Sequence, residues 1–402
     1  MIVALVLTLL CAWMPMPAIA APPIPPVAIA QTTILPPNQA LERLFQPESV
    51  QNDWFMSQFL EQIPLGQVQA LLDSLKQSMG SLQTITPIAN GYELTFERGI
   101  VPAQIRLNDQ GQIAGLFFGP PEAPISVEEA VSSLGEFPGE ASLLVLADDE
   151  VLADVQADEP LAVGSAFKLA VLVALKEAIA QGTLNWDDVV TLQPEWRSLP
   201  GGILQDWPAG TALTVETLAT LMISVSDNTA TDALIQILGR EPIEAIAPRN
   251  QPLLTTREFF ALKNPDNADT LRRFRQANTV KKRQLLDSLE SVALPDASLF
   301  TGNPIALDVE WSFSAHELCD LIAQVQDLPL MSVNPGVARL QDWQTVNFKG
   351  GSEPGVLNLT TQLEAADGRT YCVAATWNDP DQPVDEETLF LFYRDILLGL
   401  AG

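Results

Sequence analysis

Residues Gly164-Ser165-Ala166-Phe167-Lys168 lead directly into Leu169-Ala170-Val171-Leu172-Val173-Ala174-Leu175. A helix that is apolar all round belongs inside a core, so this element must be packed from every side. A spacing of three puts Ser165 and Lys168 on one face, within about one turn. A serine hydroxyl is a poor nucleophile at neutral pH, but a desolvated lysine with a lowered pKa can take its proton. One short element therefore contains a candidate nucleophile and its base.

The chain around it has 402 residues, enough for two domains or one large domain with an appendage. Its 47% hydrophobic and 18% charged residues suit a sizeable core. With 21 basic against 50 acidic residues the net charge is −29, and no basic field exists to bind nucleic acid. The acidity is read as a source of solubility. The single histidine, His316, excludes a zinc site built on two or three histidines of one chain. A Ser-His-Asp triad would have to use it. It stands in Ser314-Ala315-His316-Glu317, where Ser314 and Glu317 spell a helix cap, so it is read as structural. No CxxC pair is present, and the sequence leaves open whether Cys319 and Cys372 pair.

The first 20 residues read as a secretory signal ending at Ala18-Ile19-Ala20, although no Lys or Arg precedes the apolar run. Residues 21–39 are proline-rich and read as an extended linker. Helical patterns follow around Leu41–Phe45, Trp54–Ile63 and Leu65–Met79. Alternating segments come next, at Leu82–Pro87, Tyr92–Glu97, Val101–Leu107 and Ile113–Phe118, with Asn90-Gly91 and Asp109-Gln110-Gly111 as turns. Helices before an antiparallel meander make residues 40–119 a small α+β domain. Its element order resembles an NTF2-like cone, which implies a concave face for a small apolar molecule; a spacer or docking role is the alternative. Pro120-Pro121-Glu122-Ala123-Pro124 then marks an interdomain boundary.

From Ile125 a second domain is expected to run to the end at 402. Its helix Val127–Leu134 and strands Ala141–Ala147 and Val151–Asp154 precede the Ser165 element. Ser226-Asp227-Asn228 lies between two helical patterns, where a polar turn can place a second hydroxyl and an amide in a cleft. Lys349-Gly350-Gly351 precedes the strands Val356–Gln362 and Tyr371–Thr376. There a lysine can extend its cation into the cleft, and glycines let substrate lie against the strand.

Ser-x-x-Lys, Ser-Asp-Asn and Lys-x-Gly in this order resemble the motif set of the serine β-lactamase and penicillin-binding-protein superfamily. Trp207-Pro208-Ala209-Gly210-Thr211 ahead of the second motif is similar to class A β-lactamases. The resemblance covers residues 125–402. It implies an antiparallel sheet flanked by helices, plus an all-helical lobe. It also implies Ser165 as nucleophile, Lys168 as base, Ser226 and Lys349 as proton relay, and Asn228, Gly351 and Ser352 as substrate contacts. The oxyanion would sit between the N–H groups of Ser165 and Ser352. The two-domain arrangement further resembles the serine hydrolases of clavulanic acid clusters, whose activity is of esterase type.

Two departures bear on the substrate. Gly350 stands where the family has a hydroxyl residue that helps bind a carboxylate. The Glu-x-x-Leu-Asn segment of class A enzymes has no full counterpart; Glu258 in Thr255-Thr256-Arg257-Glu258 is the candidate deacylation base, with Lys168 the alternative group to activate the water, and the same residues also fit a helix start. Residues 264–304 read as a charged helical insertion, with Arg272, Arg273, Arg275, Lys281, Lys282 and Arg283 on a solvated face or, alternatively, on a lid over an anionic substrate. The expectation is an exported, secreted or periplasmic serine hydrolase for a small ester, amide or β-lactam-like molecule. It would need no cofactor or metal and would meet membrane only through its signal. A β-lactamase, a D,D-peptidase, or a binding protein that has lost turnover are the competing readings.

Overall fold

The computed structural model describes residues 35–46, 49–88, 90–148, 150–290 and 292–401. The signal reading of residues 1–20 and most of the linker reading of 21–39 lie outside them. Chain contacts divide the protein into two compact units, one of residues 1–73 with 104–117 and one of 74–103 with 118–402.

In the smaller unit a helix begins at Pro37, so residues 37–39 are helical rather than extended linker. Proline suits that first position because its missing N–H has no partner there anyway. Helices Pro37–Leu44 and Ser57–Gln62 overlap the patterns expected at Leu41–Phe45 and Trp54–Ile63, the first starting four residues earlier and the second three residues later. Phe55 bridges to Ile113, and both are buried.

Four strands follow the helix Leu65–Met79: β1 (Leu82–Ile88), β2 (Gly91–Phe96), β3 (Gly99–Leu107) and β4 (Ile113–Phe118). β1 and β2 pair antiparallel, as do β2 and the first residues of β3. β4 up to residue 117 belongs to the smaller unit, and a division between the units falls within β3.

The larger unit is built on a five-stranded antiparallel sheet. Its strands are β5 (Glu140–Ala147), β6 (Glu150–Val155), β11 (Thr345–Glu353), β12 (Val356–Glu364) and β13 (Thr370–Asn378), in the order β11-β12-β13-β5-β6. Short pairs join β7 (Leu161–Ala162) to β10 (Ser312–Phe313) and β8 (Val189–Thr191) to β9 (Ala212–Thr214). Because side chains alternate along a strand, the sheet feeds two cores. Leu143, Val145, Val373, Ala375 and Leu359 pack with helices Val127–Leu134 and Glu386–Ala401 on one face. Leu144, Cys372 and Ala374 face the other core. At the centre of that core lies helix Lys168–Ala180, with Lys168 through Leu175 all buried, as the unbroken apolar run requires.

Around this central helix the chain between β7 and β10 forms the helical lobe, including helices Val215–Ser224, Asn228–Leu238 and Thr256–Lys263. Cys319 and Cys372 form a disulfide with Cα atoms 5.9 Å apart, joining helix Ala315–Val325 to β13. Ser314 and Glu317 make the capping box read from the sequence, and half-buried His316 takes no part in the pocket described below.

Candidate active site

Ser165 occupies a short 3-10 turn, Gly164–Phe167, that opens the central helix. The turn is held from behind: the Phe167 ring stacks on Trp311 at 3.9 Å, and Val163 N donates to Trp311 O at 3.0 Å. Gly164 has φ +49°, a left-handed value that favours glycine. From the front the turn is pressed by β11. A Cβ on Gly351 would stand 2.2 Å from Val163 O and 2.4 Å from Ser165 N. The sequence assigned Gly351 to substrate contact. It does line the pocket, but its missing side chain also makes room for the backbone of the nucleophile's own turn.

Lys168 is fully buried, and its Nζ donates to Ser226 O (2.7 Å), Ser226 Oγ (3.1 Å) and Asn228 Oδ1 (2.8 Å). A buried ammonium needs acceptors, and the second motif supplies them. Lys168 thus ties the first motif to the second rather than bonding directly to Ser165 in this state. Burial is the main force that lowers the Lys168 pKa, to about 7; Asp232, Asp227 and Glu353 oppose it. An amine poised there can accept a proton at neutral pH.

Lys349 arrives from β11 and donates to the same Ser226 Oγ at 3.1 Å and to Gly350 O. Burial, then the charge of Lys168, holds its pKa well below the usual lysine value. Ser226 stands between the two lysines with φ +56°, a left-handed conformation that costs a serine free energy. The middle residue of the second motif, passed over in the sequence, fixes this turn. Buried Asp227 caps helix Asn228–Leu238 by accepting from Ala230 N (2.8 Å), and it also accepts from Ile203 N (2.6 Å) and Leu204 N (2.8 Å). Gly202, at φ +90°, allows that approach, since a Cβ there would meet Asp227 Oδ2 at 2.3 Å.

Ser165, Ser226, Asn228, Lys349, Gly351 and Ser352 line one pocket of about 600 Å³. Lys168 lies beneath it. The wall beside the third motif is apolar. A Cβ on Gly350 would stand 2.9 Å from Phe348 Cζ, so the Phe348 ring fills the space that a hydroxyl residue at 350 would use. A second pocket of about 540 Å³ shares Pro200, Phe260, Ser352 and Glu353 with the first.

Glu258 does not join this arrangement, which corrects its assignment as a deacylation base. It is the third residue of helix Thr256–Lys263 and completes a capping box with Thr255. Its Oε1 accepts from Arg240 at 2.5 Å, and its Oε2 accepts from Arg240 and from Thr255 N, each at 2.8 Å. Both oxygens are thereby committed, and Glu258 does not line the Ser165 pocket. The charged insertion likewise contributes none of its six basic residues to that lining. Arg275 pairs with Asp308 at 2.5 Å, Arg272 with Asp269 at 2.8 Å, and Arg283 with buried Glu244. The lid reading therefore finds no support, and the helix-face reading stands, with Arg283 anchoring the insertion to the lobe.

The five-stranded sheet with its helical lobe is a β-lactamase/transpeptidase-like fold, that of the β-lactamase-like serine hydrolases. Residues 126–391 match the family model described as the beta-lactamase enzyme family, and the chain belongs to that family. No curated protein matches it. Among solved structures, it is similar to the β-lactamase from Sphaerobacter thermophilus DSM 20745 at 19% identity and a TM-score of 0.48, covering 68% of this chain and 94% of that one. Similarity to PBP-A is at 17% identity and a TM-score of 0.48, covering 70% and 98%. A representative class A β-lactamase from Bacteroides cellulosilyticus DSM 14838 is 17% identical, with a TM-score of 0.47 and coverages of 68% and 96%.

Proposed function

We propose that the protein is an exported serine hydrolase that acts through an acyl-enzyme and favours esters over penicillins. The observation that carries this reading is the meeting of Lys168 and Lys349 on the hydroxyl of Ser226, in the pocket that Ser165 lines. Neutral Lys168 takes the proton of Ser165, whose Oγ attacks the substrate carbonyl. The N–H groups of Ser165 and Ser352 receive the developing oxyanion. Ser226 passes a proton to the leaving group and is resupplied by Lys349. Asn228 holds Lys168 through its Oδ1, while its Nδ2 donates to Leu199 O at 3.3 Å and keeps a second hydrogen for the substrate in the pocket that Asn228 lines.

Preference for esters is supported by the glycine at 350, by the Phe348 ring in the space of the absent hydroxyl, and by the commitment of Glu258 to Arg240. The sequence of residues 1–20, an apolar run ending in Ala18-Ile19-Ala20, supports export, and the Cys319–Cys372 disulfide is consistent with an oxidising compartment. The NTF2-like reading of residues 40–119 rests on helices preceding antiparallel strands.

A chromogenic p-nitrophenyl ester assay on the wild type and on Ser165→Ala tests the function. Hydrolysis should vanish in the variant, and full retention would sink the reading. Family membership favours a second reading, a β-lactamase or D,D-peptidase. Rapid nitrocefin turnover would identify the first, and stable labelling by a fluorescent penicillin the second. No adduct at Ser165 with a fluorophosphonate would point to a binding protein.

A further inference from the structure

We propose that Glu353 activates the water that releases the acyl group from Ser165, an inference that rests on the serine-hydrolase reading above. β11 pairs with β12 without a break, from Thr345 opposite Glu364 to Glu353 opposite Val356. The alternation of faces therefore holds to the strand's end, and Lys349, Gly351 and Glu353 share one face. The middle member of that row is the residue that lies against Ser165 N. Lys349 reaches Ser226 on one side of the nucleophile. Glu353 stands on the other side, about 13 Å along the strand from Lys349 at the usual rise per residue.

The strand stays close to the nucleophile's turn up to this point. A Cβ on Gly164 would lie 3.2 Å from Ser352 N and 3.5 Å from Ser352 C, and Ser352 C is bonded to Glu353. Among the described residues lining the Ser165 pocket, Glu353 is the one carboxylate. With Glu258 committed elsewhere and the Lys168 amine held by Ser226 and Asn228 outside the pocket lining, it is the group placed to serve water in that pocket.

The groups around Glu353 act on it through charge rather than through hydrogen bonds. Burial raises its pKa to about 8, Glu310 pushes the same way, and Lys263 and Lys168 oppose them. Glu310 lies just before β10 and holds Lys263, at the end of helix Thr256–Lys263, through Oε1; its Oε2 is buried without a partner. Lys349 lines the same pocket, and Glu386 lines the adjoining one. The Glu353 carboxylate is thus left available to hold a water.

In the step, Glu353 takes one proton from water as the water oxygen bonds to the acyl carbon. The oxyanion collapses, and the bond from that carbon to Ser165 Oγ breaks. Ser165 Oγ recovers the proton from Glu353 through solvent or Lys168, and the product leaves as a carboxylic acid. Since Glu353 works only when ionised, deacylation should rise with pH through about 8.

The test uses the full chain and a p-nitrophenyl ester in rapid-mixing kinetics, with intact-protein mass spectrometry. Glu353→Gln should keep the acylation burst, lower steady-state turnover by about 100-fold, and accumulate acyl-Ser165. Glu353→Asp should restore part of the turnover and keep the pH limb. Unchanged turnover in Glu353→Gln, with acylation intact, would overturn the proposal while leaving the proposed function standing. A wild type that never acylates at Ser165 would overturn the function itself. If Glu353→Gln does not fold, the wild-type deacylation profile decides: a rise through one ionisation near pH 8 supports Glu353, and a flat profile from pH 6 to 9.5 rejects it.

Discussion

Gly351 and Ser165 are in backbone contact, so close that a Cβ on the glycine would stand 2.4 Å from the serine amide nitrogen. The third motif thereby sets the position of the first. Gly351→Ala should push β11 off the turn and separate the two proposed oxyanion donors. Acylation should fall by 100-fold or more, since a displacement of about 1 Å costs that much. Stopped-flow labelling of Ser165 by a fluorophosphonate would measure it. A rate within threefold of wild type would show that the turn tolerates the shift.

Ser226 holds a left-handed backbone so that its hydroxyl can meet both lysines. Such a conformation costs a residue with a Cβ about 1 kcal/mol. Ser226→Gly and Ser226→Ala both remove the hydroxyl that Lys168 and Lys349 share, so both should lower ester turnover by at least tenfold, and the glycine variant, relieved of the strain, should unfold at the higher temperature of the two. Calorimetry and steady-state kinetics on one preparation of each variant check both halves.

Burial holds Lys168 near 7, and only its neutral form accepts the Ser165 proton. The acylation rate should accordingly be low at pH 5.5, rise through a midpoint near 7, and level off above it. Burst rates with a p-nitrophenyl ester across pH 5–9 give the midpoint. The acylation midpoint should lie below the deacylation midpoint near 8 that Glu353 would set.

Glu258 joins the cap of its helix to Arg240, with its side chain 8% exposed against 21% for Arg240. Glu258→Gln keeps the shape but removes the carboxylate charge that pairs with the guanidinium, at a cost of about 3 kcal/mol. Urea unfolding should show that loss, with the deacylation rate of the folded protein unchanged. A folded variant that acylates and stalls would return Glu258 to the chemistry.

The Cys319–Cys372 bond closes a sequence separation of 53 residues. By the chain-entropy model its removal costs about 4 kcal/mol. The double variant Cys319→Ala/Cys372→Ala should lose close to that amount in denaturant titration. Alkylation of protein taken from its native compartment, without reductant, should leave both positions unlabelled.

Much of the frame was legible because its signals are local. The helices Leu65–Met79 and Val127–Leu134 have the ends that their periodicity predicts, and helix Ala315–Val325 starts at the cap read at Ser314. The unbroken apolar run after Lys168 foretold a central buried helix. Glu258 was ambiguous because the same four residues encode a helix start and echo a catalytic loop. Only the position of Arg240 decided between them.

What the sequence determined by itself was the inventory: a serine and a lysine one turn apart, a second hydroxyl at a tight turn, and a lysine ahead of two glycines. Each depends on spacing within a single element. What the tertiary structure decided was how that inventory meets. Lys168 turns to Ser226 and Asn228, Phe348 takes the space beside Gly350, Asp227 pins the 201–204 loop, and Glu353 enters the pocket. Apart from Phe348 and Gly350, neighbours on one face of β11, these are relations between segments tens to hundreds of residues apart. Burial and backbone approach set them, and neither is written into any local pattern.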